Sequence, residues 1–383
     1  MNKRKIVFIS ASEITIRSFL IDHIQKLNSK KVEIYLITNF NLHEKFFKKL
    51  NVNLINVKFK RNISLVTDFY CLLSLTLLLL KIKPDVVISI SPKGGLLSSL
   101  ASFFLKIKVR VHIFTGQVWA NKNGIFKKLL MFSDKIIINL ATHILADSKS
   151  QKDFLLRNKL IKKQSQCFVV NNGSICGVDT NKFKKNLLTR LNIRKKLNIE
   201  KNSIVLSYIG RLNSEKGILN LLNIFKKITI TKKNVYLLLI GPDEMNIQKI
   251  INNHIYSKKI IILNHQKNIE FFLQTSDIFC LPSEREGFGL SVIEASACEL
   301  PVVCSDIYGL RDTLVHNITG YKFRLGKNLE LYNYLIELIQ SKKKRINLGF
   351  QGRMFVKNYY EKKKVILAYS IFFKKLIFND KIN

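Results

Sequence analysis

The chain has 383 residues, 47% of them hydrophobic, with 16 glycines and 5 prolines. That length exceeds one comfortable core and predicts two domains, while so little Gly and Pro excludes long disordered linkers. Net charge is +38, from 64 Lys plus Arg against 26 Asp plus Glu, which predicts strong attraction to polyanions.

The N-terminal apolar run is short and leads straight into patterned sequence, so it reads as a first strand rather than a signal peptide. Strands are predicted at Lys5–Ser10, Val32–Thr38, Asp85–Ser91, Val109–Phe114, His143–Ala146 and Cys167–Asn171. Helices are predicted between them at Ile16–Leu27, Leu65–Lys81, Leu96–Leu105 and Gln151–Arg157. Within the second of these helices, Phe69–Leu80 is a 12-residue run between Asp68 and Lys81. It falls short of the ~20 residues that span a bilayer, so a buried helix is expected and no spanning segment. A loop at Gly173–Asp179 and a basic stretch at Lys182–Lys201 follow.

The alternation then restarts. Strands are expected at Ile204–Ile209, Val235–Ile240, Ile260–Leu263, Ile278–Leu281 and Val302–Cys304. The helices are expected at Leu219–Ile228, Ile247–Asn253, Ile269–Gln274 and Leu290–Ala297, with a terminal helix at Tyr360–Ile377. Short apolar runs alternating with amphipathic ones indicate an α/β chain with two doubly wound parallel sheets. The expected division is 1–178, 179–358 and a terminal helical segment, 359–383.

Six cysteines (Cys71, Cys167, Cys176, Cys280, Cys298, Cys304) form no C-x-x-C pair. Buried free thiols in a reducing compartment are expected, with neither a zinc site nor a disulfide scaffold. No nucleic-acid module is present, so no nucleic-acid partner is expected. Lysines flanking apolar helices, as at Lys342–Arg345 and Lys374–Lys375, suit an anionic membrane surface; a solvated basic surface explains them equally well.

Two segments carry chemistry. Pro282-Ser-Glu-Arg-Glu-Gly-Phe-Gly-Leu290 leads from a strand into a helix that also holds Glu294, eight positions beyond Glu286. If that helix begins near Leu290, Glu294 lies about one turn in, and both carboxylates serve one pocket. Two carboxylates over one crevice suit a polyhydroxylated ligand, because each accepts bonds from neighbouring hydroxyls. An ordinary turn with two solvated glutamates is the plain alternative. Gly210-Arg-Leu-Asn-Ser-Glu-Lys-Gly217 follows a strand and opens a helix. Its glycines and helix N-terminus favour phosphate, and Arg211 and Lys216 add a fork and a point charge suited to a diphosphate. It lacks the Gly-Lys-Ser/Thr ending of a Walker loop.

Together these segments resemble the donor-site signature of retaining glycosyltransferases of the GT-B fold, family 4. The Glu-Gly-Phe-Gly…Glu-Ala pattern and the Gly-Arg-Leu…Lys-Gly motif stand in family order. The resemblance implies two Rossmann-like domains facing across a cleft, with a C-terminal helix crossing back. It implies that Arg211 and Lys216, beside Gly210, neutralise a nucleotide diphosphate. Glu286 would then take donor sugar hydroxyls and Glu294 the ribose, with Gly287, Phe288, Gly289 and Leu290 completing the donor site.

Gly241-Pro-Asp-Glu244 matches the family's next strand end, which implies a loop near the nucleotide; Asp243 and Glu244 are weak site candidates there and read first as exposed loop charges. In the first half, Ser91–Gly95 and the Arg110–Trp119 run are similar to a subgroup that extends bacterial polyprenyl-diphosphate-linked or other surface glycans. Lys93, His112, Thr115, Gly116 and Glu13 are the acceptor-side candidates. His112 reads equally as a satisfied core histidine, and Trp119 either stacks on a sugar or packs. The family's glycine is missing at Asn264-His-Gln and in the Ser10–Thr15 loop, which leaves base selection and phosphate cradling there unsupported.

The expected activity is transfer of a hexose or N-acetylhexosamine, with retention, from a nucleotide-diphosphate sugar to a glycan or lipid-linked acceptor. It needs no cofactor and no metal, and belongs in the cytoplasm, peripheral to the inner membrane face. A GT-B epimerase or hydrolase, or a non-enzymatic polyanion-binding protein, are the alternatives.

Overall fold

The computed structural model describes residues 3–40, 44–60, 62–252 and 256–378. Asn253, the last residue of one expected helix, lies outside them. The chain divides into two compact units, Met1–Gly177 with Lys363–Asn383, and Val178–Lys362.

The first unit holds strands β1 (Arg4–Ser10), β2 (Val32–Thr38), β3 (Asn53–Asn56), β4 (Val86–Ile90), β5 (Val109–Phe114), β6 (His143–Ala146) and β7 (Cys167–Phe168). Its helices are α1 (Glu13–Phe19), α2 (Ile21–Leu27), α3 (Glu44–Phe47), α4 (Leu65–Ile82), α5 (Pro92–Phe104), α6 (Gly124–Leu140) and α7 (Lys149–Arg157). All strands are parallel, in the order β3-β2-β1-β4-β5-β6-β7. β4 is buried at every position, as a central strand covered on both faces must be. Alternation along β1 splits the core: Ile6 and Phe8 join one apolar cluster, Val7 and Ile9 the other.

The second unit holds β8 (Ile204–Ile209), β9 (Val235–Ile240), β10 (Ile260–Leu263), β11 (Ile278–Leu281), β12 (Val302–Ser305) and β13 (Gly320–Phe323). Between and after them run α8 (Leu187–Lys196), α9 (Ile218–Thr231), α10 (Ile247–Asn252), α11 (Ile269–Thr275), α12 (Leu290–Ala297), α13 (Asn328–Gln340) and α14 (Lys342–Tyr359). The strands again run parallel, in the order β10-β9-β8-β11-β12-β13. Asp277, just before β11, anchors α8 by accepting from Arg190 and Arg194 at 2.6 Å each. The last helix, α15 (Lys362–Phe378), belongs to the first unit from Lys363 on, where Val365, Tyr369 and Phe373 join the cluster of Ile6 and Phe8.

Several expectations need correction. Helix α4 runs one residue past the expected Leu65–Lys81, but it is not a buried helix: it packs inward through Cys71, Leu75, Leu79 and Ile82, while Phe69, Leu73 and Leu77 are exposed. Among the described residues it is the one helix long and apolar enough to cross a membrane by length and composition. β7 ends at Phe168, short of the expected Asn171, whose φ of +55° breaks extended geometry. The basic stretch around residues 182–201 contains α8. Strands β3 and β13 and helices α6, α13 and α14 were not foreseen as elements. All six cysteines are free and buried, as expected.

Candidate functional site

In the second sheet the chain steps outward from β8 through β9 to β10, then restarts at β11, beside β8, and steps the other way. That makes a topological switch point between β8 and β11, and the carboxyl ends of those strands carry Gly210–Gly217 and Pro282–Gly289. Ligands of open α/β sheets collect at such a point.

Close backbone approach builds this corner. Gly217 has φ of +69°, and a Cβ there would lie 2.0 Å from the carbonyl oxygen of Pro282, so only glycine lets the two loops touch. Gly309, after β12, sits equally close to the carbonyl of Glu286, with 2.2 Å to a built Cβ. The Glu284 amide donates to the Glu215 carbonyl at 2.9 Å, and Arg285 pairs with Glu215 at 2.8 Å.

The side chains then converge. Lys216 Nζ lies 2.6 Å from Glu286 Oε1 and donates to the Arg285 carbonyl at 3.2 Å. Ser283 Oγ donates to the same Glu286 oxygen at 2.8 Å. Asn213 accepts from the Lys216 amide at 3.1 Å, shaping the turn that presents the lysine. Arg211 pairs with Glu244 at 3.1 Å, and Asn213 also donates to Glu244 at 2.7 Å. Glu244 is therefore engaged rather than a loose loop charge. Asp243 accepts from the amides of Met245 and Ile247 at 3.0 Å each, ordering its loop.

Gly289 precedes α12, and Phe288 is buried against Tyr360 with ring centroids 5.2 Å apart. Glu294 lies one turn into α12, half-buried. Burial pushes its carboxyl up to about 8, Lys182 pulls it down and Glu270 pushes it further up. Burial likewise raises the Tyr208 phenol, whose hydroxyl donates to the Arg211 carbonyl at 2.8 Å. Gly309, Ser283 and Tyr208 escaped the sequence reading. Gly309 follows β12 within a few residues, so its place at a strand end was the available signal.

The first sheet has its own switch point, between β1 and β4. Ser91 Oγ, after β4, accepts from the Ala11 amide after β1 at 3.3 Å. Glu13 is buried in the first turn of α1. Lys93 pairs with Asp68 at 2.8 Å and donates to the Asn62 carbonyl at 2.6 Å. His112 is buried beside Gly95, with Nδ1 2.9 Å from Ser89 Oγ, and burial holds its imidazole down at about 3, hence neutral. Thr115 and Gly116 follow β5 at the same edge, Thr115 half-buried and Gly116 buried. Trp119 packs in the interior against Phe154, ring centroids 5.1 Å apart, and its indole donates to Asp134 at 2.7 Å. Among the described residues no group of three or more His, Cys, Asp or Glu is placed to hold a metal ion.

Residues 189–355 match the family model of Glycosyl transferases group 1, a stretch that contains both motif loops of the second unit. Over 280 residues the chain is 29% identical to the capsular polysaccharide biosynthesis glycosyltransferase CapM of Staphylococcus aureus, covering 72% of this chain and 73% of that one. It is 26% identical over 359 residues to the N,N'-diacetylbacillosaminyl-diphospho-undecaprenol alpha-1,3-N-acetylgalactosaminyltransferase of Campylobacter jejuni, covering 90% and 92%. Anabaena HepE in complex with UDP shares the fold, with a TM-score of 0.78 at 16% identity over 97% of this chain and 100% of that one. The second unit thus carries the stretch that matches glycosyl transferases group 1, and the chain is a glycosyltransferase with the two-domain α/β fold of the GT-B class.

Proposed function

We propose that this glycosyltransferase moves a hexose or N-acetylhexosamine, with retention, from a nucleoside-diphosphate sugar to a glycan or polyprenyl-diphosphate-linked acceptor in bacterial surface-glycan synthesis. The observation that carries the donor side is Lys216 Nζ at 2.6 Å from Glu286 at the β8–β11 switch point. A cation suited to phosphate stands there beside a carboxylate suited to sugar hydroxyls. The acceptor class rests on the names of the relatives: CapM for capsular polysaccharide, the Campylobacter protein for a diphospho-undecaprenol-linked sugar.

In this reading Lys216 and Arg211 hold the diphosphate, and Arg211 exchanges Glu244 for it. Glu286 accepts from donor sugar hydroxyls, Glu294 from the ribose, and the amides of Gly287–Leu290 assist. The bond between the anomeric carbon and the phosphate oxygen breaks as the acceptor hydroxyl attacks the same face. The acceptor proton passes to the departing phosphate. Negative charge grows on that phosphate, and fixed cations stabilise it more in the transition state than in the ground state. They take the place of a divalent ion, so chelation leaves transfer unchanged. Glu13, Lys93, His112, Thr115 and Gly116 are assigned to the acceptor side, with the protein peripheral on the cytoplasmic membrane face.

The test is a panel of nucleotide sugars screened for protection against thermal unfolding. A true donor at about a hundred times its Kd stabilises the fold by ~2.7 kcal/mol. Failure of every sugar nucleotide to raise the transition would contradict the reading.

A further inference from the structure

Helix α4 turns one apolar stripe inward and a second outward. Val66, Phe69, Tyr70, Leu73, Leu77 and Leu80 recur at three- and four-residue spacing, and all are exposed. A soluble surface helix carries polar residues there. The pattern continues on its neighbours. α5 lies against both α4 and α6, and right-handed crossovers place all three on one face of the sheet. α5 ends in exposed Phe103 and Phe104, and α6 begins with exposed Ile125, Phe126 and Leu129. Ile125 and Leu65 are each 86% exposed, which no packing within the unit explains.

The charge around this face has one sign. Residues 57–133 contain twelve Lys or Arg and two acids, Asp68 and Asp85. Both acids are paired, Asp68 with Lys93 at 2.8 Å and Asp85 with Arg4 at 2.7 Å. Lys81 and Lys83 flank the end of α4, Lys106 and Lys108 the end of α5, and Lys128 rises from α6, all exposed. A cavity of about 460 Å³ opens at that basic end, lined by Leu80, Lys83, Lys106 and Lys108, with room for a phosphate headgroup.

We propose that the outward face of α4, α5 and α6 seats the enzyme on an anionic lipid bilayer. The apolar side chains enter the acyl boundary, and the lysines meet lipid phosphates, in the manner of an interfacial helix held by two weak forces. A second copy is a poorer occupant, because two-fold packing would set the same lysines against each other. The purpose of the seat rests on the lipid-linked acceptor proposed above, but the binding itself does not.

The test is co-sedimentation with phosphatidylcholine vesicles, with and without phosphatidylglycerol, at low and high salt. It uses the full chain, the triple variant Phe69→Ser/Leu73→Ser/Leu77→Ser and the pair Lys81→Glu/Lys128→Glu, with size-exclusion chromatography alongside. The wild type is expected to pellet with anionic vesicles at low salt and to release at high salt. Both variants should bind at least about tenfold more weakly. Protection of each variant by sugar nucleotide should match the wild type, because these side chains lie outside the donor loops. The proposal is overturned if the wild type ignores anionic vesicles, if the triple variant pellets like it, or if chromatography shows a dimer that the triple variant breaks. Vesicle binding without nucleotide-sugar protection would instead uphold the seat and contradict the donor site.

Discussion

Lys216 and Glu286 come from two loops 70 residues apart, yet their charged groups meet at 2.6 Å where β8 and β11 end. Both side chains are largely buried, at 13% and 15% exposure, so neither charge is left to solvent alone. A largely buried pair of this kind is costly to break from one side, because the survivor loses its partner but not its burial. In the donor reading, the pair also divides the ligand, with phosphate at one end and sugar at the other.

That division predicts a split in affinity. Glu286→Gln should weaken a nucleotide sugar by roughly 10- to 100-fold, the worth of a charge-assisted hydrogen bond, while the free nucleoside diphosphate binds as before. Lys216→Met should weaken both. Titration calorimetry with the two ligands reads the difference.

Glu294 predicts a pH dependence. Its carboxyl is pushed from 4.5 up to about 8, so between those values the folded chain holds a proton that the unfolded chain has lost. Stability from this group is therefore full at acid pH and falls as pH rises through the window. Glu294→Gln should raise the melting temperature at pH 8.5 by ~2–4 °C, leave it unchanged near pH 4, and lose nucleotide affinity. Wild-type affinity should rise from pH 6.5 to 8.5, since the ionised carboxylate is the better acceptor for ribose hydroxyls. Melting curves and binding at both ends of the range check this.

The two motif loops touch only because residue 217 has no side chain. Gly217→Ala adds a Cβ 2.0 Å from the Pro282 carbonyl at a φ of +69°. Strain of this kind costs ~1–3 kcal/mol, and relief requires the loops to part. Urea unfolding should show the loss, and donor protection should vanish with it.

Trp119 tests the first unit. Burial pushes the Asp134 carboxyl up to about 7, and the indole's hydrogen bond holds it lower than burial alone would. Trp119→Phe removes that donor, so the ionised carboxylate loses its partner. The variant should lose ~1–3 kcal/mol at pH 8 and much less at pH 5, where the carboxyl is protonated in both proteins. Urea titrations at the two pH values decide it.

The central strands were legible because parallel strands covered on both faces read as unbroken apolar runs. Val235–Ile240 and Ile278–Leu281 match β9 and β11 residue for residue. Two edge strands were not: Asn53–Asn56 has polar, exposed ends, and Gly320–Phe323 opens on glycine, whereas the all-apolar edge strand Ile260–Leu263 was read in full. Helix α6 was missed, and α4, expected at Leu65–Lys81, reads as buried, for the opposite reason. Their outward faces are apolar, so the polar side that marks a surface helix is missing in Phe69–Leu80 and thin in Ile125–Phe132. At the donor corner the motifs could be read as types at a spacing. That Glu286 pairs with Lys216, and Glu244 with Arg211, depends on which strand ends are neighbours, which no local pattern states.

The most direct measurement is single-turnover transfer from the best-protecting nucleotide sugar to a diphospho-undecaprenol-linked sugar, comparing wild type with Lys216→Ala and reading the anomeric configuration of the product. Same-face attack with Lys216 on the leaving diphosphate predicts an α-linked product from an α-linked donor and a rate at least ~100-fold lower in the variant. An inverted product, or a variant that transfers as fast as the wild type, would contradict it.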